Sequence, residues 1–92
     1  MRFRLFGLDD CEKCNAMRQE FSESGIVYFY VDALKPETQE LCDKYNIDET
    51  PRIQLINNDG KVLYEKIGYI EVIELVKIAK KIEERFQKIQ TE

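Results

Sequence analysis

The sequence predicts an α/β protein whose elements follow the order β-α-β-α-β-β-α, and three stretches carry that prediction. Ile26-Val27-Tyr28-Phe29-Tyr30-Val31 is an unbroken β-branched and aromatic run. Arg52-Ile53-Gln54-Leu55-Ile56 and Lys61-Val62-Leu63-Tyr64-Glu65-Lys66-Ile67 flank Asn57-Asn58-Asp59-Gly60, the pattern of an antiparallel hairpin. After Gly68, the residues Val72, Leu75, Val76, Ala79, Ile82, Phe86 and Ile89 recur at helical spacing with Lys and Glu between them.

The first strand is read from Phe3 and Leu5 alternating with Arg2 and Arg4, up to a break at Gly7, Asp9 and Asp10. A helix opens at Cys11, because Cys14, Met17 and Phe21 fall on one face and Ser24-Gly25 closes it. The run Ile26 to Val31, ending at Asp32, reads as a strand covered on both faces and so set inside a sheet. Strand, helix and strand in that order make a right-handed crossover with parallel strands. The helix start then lies beyond the carboxyl end of the first strand, the edge where open α/β sheets place their sites. Pro36 suits the first turn of a short second helix with Leu41, Cys42 and Tyr45 on its apolar face, ended by Asn46 and Asp48-Glu49. The last helix is expected to cover one sheet face. Its later residues Ile82, Phe86 and Ile89 would extend past a small sheet, with a monomer still expected.

Ninety-two residues make one domain, 1-92, since a chain this short buries only about 60 to 65% of its unfolded surface. With 43% hydrophobic and 35% charged residues, the chain has a globular balance and not a disordered one. The net charge of -4 with scattered basic residues argues against nucleic acid as a partner. The longest apolar run, Ile26 to Val31, is far short of the roughly 20 residues that span a bilayer, so no membrane partner is expected. Met1-Arg2-Phe3-Arg4-Leu5-Phe6 lacks the apolar core of a secretory signal, and a cytoplasmic location is the expectation. The sequence has no histidine, which excludes Ser-His-Asp and Cys-His hydrolysis.

Two of the three cysteines stand in Cys11-Glu12-Lys13-Cys14, a spacing used for redox work or for metal binding. Residues three apart at a helix start have Cβ atoms about 5 to 6 Å apart, within reach of a reversible disulfide. A thiolate there would be stabilised by the unpaired N–H groups and positive dipole end of the helix. The dipole favours Cys11, while Cys14, one turn inside, should be more buried. Lys13 would favour the anion and Asp9, Asp10 and Glu12 would oppose it, each by under about 1 kcal/mol at an exposed rim. Zinc is the competing use of this spacing, but it wants four protein ligands, and only Cys42 could add a third sulfur. Cys42 is expected to be core filler beside Leu41 and Tyr45.

The motif at a strand-to-helix junction, Thr50-Pro51 before a strand and the hairpin ending at Gly68 together resemble the thioredoxin superfamily across nearly the whole chain. Beginning directly with the strand that carries the motif is similar to glutaredoxins and small glutaredoxin-like redoxins. Val31-Asp32-Ala33, Lys44-Tyr45-Asn46-Ile47 and Asn58-Asp59-Gly60-Lys61-Val62 through Ile67-Gly68 are similar to the second half of a thioredoxin. The resemblance implies a thioredoxin (glutaredoxin-like) fold, with a central four-stranded mixed sheet flanked by helices. It implies a thiol-disulfide oxidoreductase in which Cys11 attacks, Cys14 resolves, and a cis Pro51 faces them with Thr50 as the substrate-binding edge. Lys13 and Gly68 would support the site.

Two departures bear on the chemistry. The paired-glycine segment that holds glutathione in glutaredoxins is missing after Ile67, and the buried acid of thioredoxins would fall at Leu5. The implied substrates are disulfide-containing proteins, and the reductant is either a thioredoxin-reductase type partner or glutathione. No cofactor and no metal are expected. A redox-inactive adaptor that docks peptides at Thr50-Pro51, and a zinc-binding module, stand as the alternatives.

Overall fold

The computed structural model of the chain describes the backbone of residues 1–91 and the side chains of residues 1–85. Seven elements follow the expected order: β1 (Arg2–Gly7), α1 (Glu12–Ser24), β2 (Tyr28–Asp32), α2 (Gln39–Lys44), β3 (Arg52–Ile56), β4 (Val62–Ile67) and α3 (Val72–Thr91). A 3-10 turn, Pro36–Thr38, leads into α2. The four strands form one mixed sheet in the order β2-β1-β3-β4. β1 runs parallel to β2 and antiparallel to β3, and β3 runs antiparallel to β4.

Each helix ends where its chemistry directs. Gly25 takes the left-handed conformation (φ 68°) at the end of α1, and the Ile26 N–H returns to the Phe21 carbonyl at 3.2 Å. The turn before α2 is tied to β2 by the Thr38 hydroxyl, which donates to the Asp32 carbonyl at 2.6 Å. α3 starts where the Glu20 carboxylate accepts the Val72 N–H at 3.0 Å, so α1 supplies the cap of α3.

Successive residues of β1 feed two cores, because strand side chains alternate between sheet faces. Phe3 and Leu5 join Met17 and Phe21 of α1, Ile53 and Leu55 of β3, and Val72 and Leu75 of α3. Phe6 instead packs with Val31 and Cys42 under α2. Cys42 is buried there, as the pattern around Leu41 and Tyr45 predicted. Ile82 packs against the first core. The expectation that Phe86 and Ile89 reach past the sheet falls outside the described side chains.

One strand differs from its sequence reading. The apolar run at Ile26 to Val31 is not an inner strand: the strand starts at Tyr28 and forms one edge, with Val27 83% and Phe29 45% exposed. Arg2 lies over the exposed Phe29 ring, its guanidinium carbon 5.3 Å from the centroid. β3 lies inside the sheet, and all five of its residues are buried. Both of its polar side chains reach partners, while the Arg52 Nε is buried without one among the described residues. Gln54, 0% exposed, accepts from Arg4 Nε at 3.0 Å and donates to Glu65 at 2.6 Å. Arg52 pairs with Glu65 at 3.1 Å and donates to the Asn46 carbonyl at 2.9 Å. Among the described residues no helix is long and apolar enough to cross a membrane.

Candidate functional site

Cys11 is the N-cap of α1, with extended backbone (φ −90°, ψ 109°) that carries its side chain over the open end of the helix. Its sulfur accepts the Cys14 N–H at 3.2 Å, one of the donors that a helix start leaves without a backbone partner. The turn before it is stitched down by two bonds. The Cys11 N–H reaches the Leu8 carbonyl at 3.2 Å, and the Asn15 side-chain amide donates to the Asp9 carbonyl at 3.0 Å.

Cys11 and Cys14 are joined as a disulfide, with Cα atoms 5.2 Å apart. Cys11 is partly exposed and Cys14 is fully buried, as their places on the helix predicted. Glu12 and Lys13 between them are exposed, and together with Ala16 and Tyr69 they line an open depression beside the disulfide. Asp9 and Asp10 are exposed as well. Leu5 is fully buried in the first core.

The strand ends close the site from below. A Cβ on Gly7 would lie 3.2 Å from the Cys14 Cβ and 3.0 Å from Cε1 of Tyr30, so only glycine lets β1 pass this close to the helix start. Phe6 pairs with Arg52, and continuing that antiparallel register brings Pro51 alongside Gly7. The Thr50-Pro51 peptide is cis, Pro51 is fully buried and Thr50 is half-buried. Gly68 donates its N–H to the Pro51 carbonyl at 2.8 Å and has φ 92°, a conformation that favours glycine. Gly68 therefore fixes the segment that leads to Tyr69, whose hydroxyl donates to the Glu20 carboxylate.

Cys11, Lys13 and Cys14 thus sit at one helix start, while Thr50, Pro51 and Gly68 cluster at the adjoining strand ends. Cys42 does not join them, because it packs in the layer on the other side of the sheet. Among the described residues no three Cys, Asp or Glu side chains converge as metal ligands.

Sequence reasoning missed two residues. Gly7 had been legible only as the end of a strand. Tyr30 had been hidden in an apolar run that read as core. Its hydroxyl is buried and has no hydrogen-bond partner among the described residues. Burial pushes the Tyr30 phenol above its ordinary range, and the nearby positive charge of Arg18 works against that shift. The Arg18 guanidinium carbon lies 4.0 Å from the ring centroid, over the ring face, and its positive charge favours the phenolate.

A family model described as a thioredoxin-like domain matches residues 3–83. Solved structures agree with it. Thioredoxin 1 from the thermophilic eubacterium Thermosipho africanus is 16% identical, with the whole of both chains covered and a TM-score of 0.67. Thioredoxin-2 of the malaria parasite is 24% identical over 86% of this chain and 80% of that one, with a TM-score of 0.69. A thioredoxin-fold protein from Helicobacter pylori is 19% identical over 84% of this chain and 65% of that one, with a TM-score of 0.72. At these identities the likeness is one of fold. No curated protein matches the sequence.

Proposed function

The chain belongs to the thioredoxin-like domain family, and from that premise we propose that it is a thiol-disulfide oxidoreductase that reduces protein disulfides by dithiol exchange. One observation supports this above the rest: a partly exposed Cys11 at the N-cap of α1 is bonded to a fully buried Cys14 one turn on. In the reduced protein the helix end stabilises the Cys11 thiolate, which is the reactive form of the thiol. Cys11 attacks one sulfur of a substrate disulfide, forming a mixed disulfide and releasing the first substrate thiolate. Cys14 then attacks the Cys11 sulfur and displaces the second. The two protein thiols lose two electrons to the substrate, and the released thiolates take up the protons the cysteines gave to solvent.

Lys13 flanks the motif on the exposed side, and Thr50, Pro51 and Gly68 form the edge where an extended substrate segment adds as a strand. The cycle consumes reducing equivalents, which suits a reducing compartment such as the cytoplasm. A thioredoxin-reductase type partner supplies them better than glutathione, because Gly68-Tyr69-Ile70 lacks a paired glycine. The chain works as a monomer, and the cycle needs no bound cofactor.

The test is turnover of a protein disulfide by the full chain. Cys11→Ser abolishes it, and Cys14→Ser accumulates a mixed disulfide visible by intact mass. Undiminished turnover in Cys11→Ser overturns the assignment, and peptide capture without any turnover by the parent chain would instead support a docking role. With each reductant in parallel, glutathione is expected to sustain the slower rate.

A further inference from the structure

Cys14 must ionise to resolve the mixed disulfide, yet it is fully buried, and burial disfavours a thiolate. The helix start helps Cys11 at the N-cap more than Cys14 one turn inside. A second source of stabilisation is therefore needed beside the Cys14 sulfur.

The Tyr30 hydroxyl is placed to provide it. This oxygen and the Cys14 Cβ each lie 3.2 Å from the point where a Gly7 side chain would begin, so both border the space that glycine leaves. The hydroxyl is buried and unpartnered while Cys14 is held in the disulfide. A buried O–H without an acceptor is unfavourable, and an acceptor arriving nearby would recover that cost. Reduction frees the Cys14 sulfur from Cys11 and leaves it able to turn about its Cα–Cβ bond.

We propose that the Tyr30 hydroxyl donates a hydrogen bond to the Cys14 thiolate of the reduced protein and thereby speeds resolution of the mixed disulfide. The inference rests on the dithiol reading above. No proton passes from Tyr30 in the step. Cys14 releases its proton to solvent, the new Cys11–Cys14 bond forms as the substrate–Cys11 bond breaks, and the departing substrate sulfur carries the electron pair away. The charged groups around the phenol are Arg18 from α1, Asp9 from the turn before it and Asp32 from β2. Arg18 lies over the ring and favours negative charge nearby, while the two carboxylates oppose it.

The experiment mixes the reduced full chain with an aromatic disulfide that releases a coloured thiolate twice, once on attack by Cys11 and once on resolution by Cys14. Tyr30→Phe removes only the hydroxyl. It is expected to leave the first release within about twofold of the parent chain and to slow the second about three- to fourfold, because the tenfold loss of thiolate is partly offset by its greater nucleophilicity. The pH midpoint of the second phase should rise by about one unit. In a Cys11→Ser background, the thiolate absorbance of Cys14 should shift upward by the same amount.

A second phase unchanged in rate and midpoint overturns the proposal, and so does equal slowing of both phases, which marks a packing role. If Tyr30→Phe fails to fold, fluorotyrosine at position 30 keeps the ring, strengthens the donor and must lower the Cys14 midpoint; no shift overturns the proposal. These outcomes leave the dithiol reading intact where the parent chain still shows two phases. A parent chain with no Cys11-dependent release removes both.

Discussion

Tyr69 shows how a single side chain can tie the site to the rest of the fold. Its hydroxyl donates to one oxygen of the Glu20 carboxylate while the other oxygen accepts the Val72 N–H. One carboxylate therefore holds both the segment after Gly68 and the start of α3. The hydrogen bond to Glu20, followed by desolvation and the negative charges of Glu20 and Glu71, pushes the Tyr69 phenol from 10.0 up to about 12. Because the folded state favours the neutral phenol, the contribution of this bond is complete below the ordinary tyrosine pKa and is lost as pH rises through about 12. Ultraviolet titration of phenolate, with Tyr69→Phe identifying the signal, should find Tyr69 ionising well above the ordinary tyrosine range. Glu20→Ala should bring it back toward the ordinary range. A Tyr69 that titrates at the ordinary value in the parent chain would refute the coupling.

At the scale of elements, the central strand β3 depends on polar partners that lie far away in sequence. Glu65 of β4 uses one oxygen to accept from both Arg52 and Gln54. The Arg52 side chain is 7% exposed and that of Glu65 is 33% exposed, so solvent only partly softens the loss of the carboxylate. Glu65→Ala should therefore lower stability by about 2 to 3 kcal/mol in urea unfolding, and Glu65→Gln, which keeps an acceptor, by less. A Glu65→Ala chain within about 0.5 kcal/mol of the parent would show that the backbone carbonyls of Tyr45 and Asn46 suffice for Arg52.

This arrangement also explains what the sequence could reveal of the fold. Element order was legible because periodicity and turn residues are local: Gly25, Asn57-Asn58-Asp59-Gly60 and Gly68 mark their turns directly. Strand position was not legible, because burial of Arg52 and Gln54 depends on Arg4 and Glu65, which no local pattern links to them. The edge placement of β2 was hidden for the converse reason, since its apolar run is equally compatible with either position. The dithiol was legible because its two cysteines are neighbours on one helical turn. The site roles of Thr50-Pro51 and Gly68 entered only through family resemblance. Tyr30 escaped altogether, because a tyrosine between Phe29 and Val31 gives no sign of where its hydroxyl points.

On the scale of the whole molecule, β1 is the member that both layers and the site share. Leu5 closes the core beneath α1 and α3, the adjacent Phe6 closes the core beneath α2, and Gly7 meets Cys14 at the strand's end. Layers that depend on neighbouring residues of one strand should melt together as a single domain, since losing β1 opens both. Leu5→Val and Phe6→Leu each trim one layer and should cost about 1 to 2 kcal/mol. The near-ultraviolet dichroism of the tyrosines reports packing in both layers, through Tyr28 and Tyr30 on one side and Tyr45, edge-on to Phe6, on the other. Far-ultraviolet dichroism reports the backbone. In urea, the two signals of each variant should share one midpoint, shifted together from that of the parent chain. If Phe6→Leu instead produced an early transition that left the Tyr28 and Tyr30 signal in place, α2 and its layer would form a separate unit, and the shared role of β1 would be wrong.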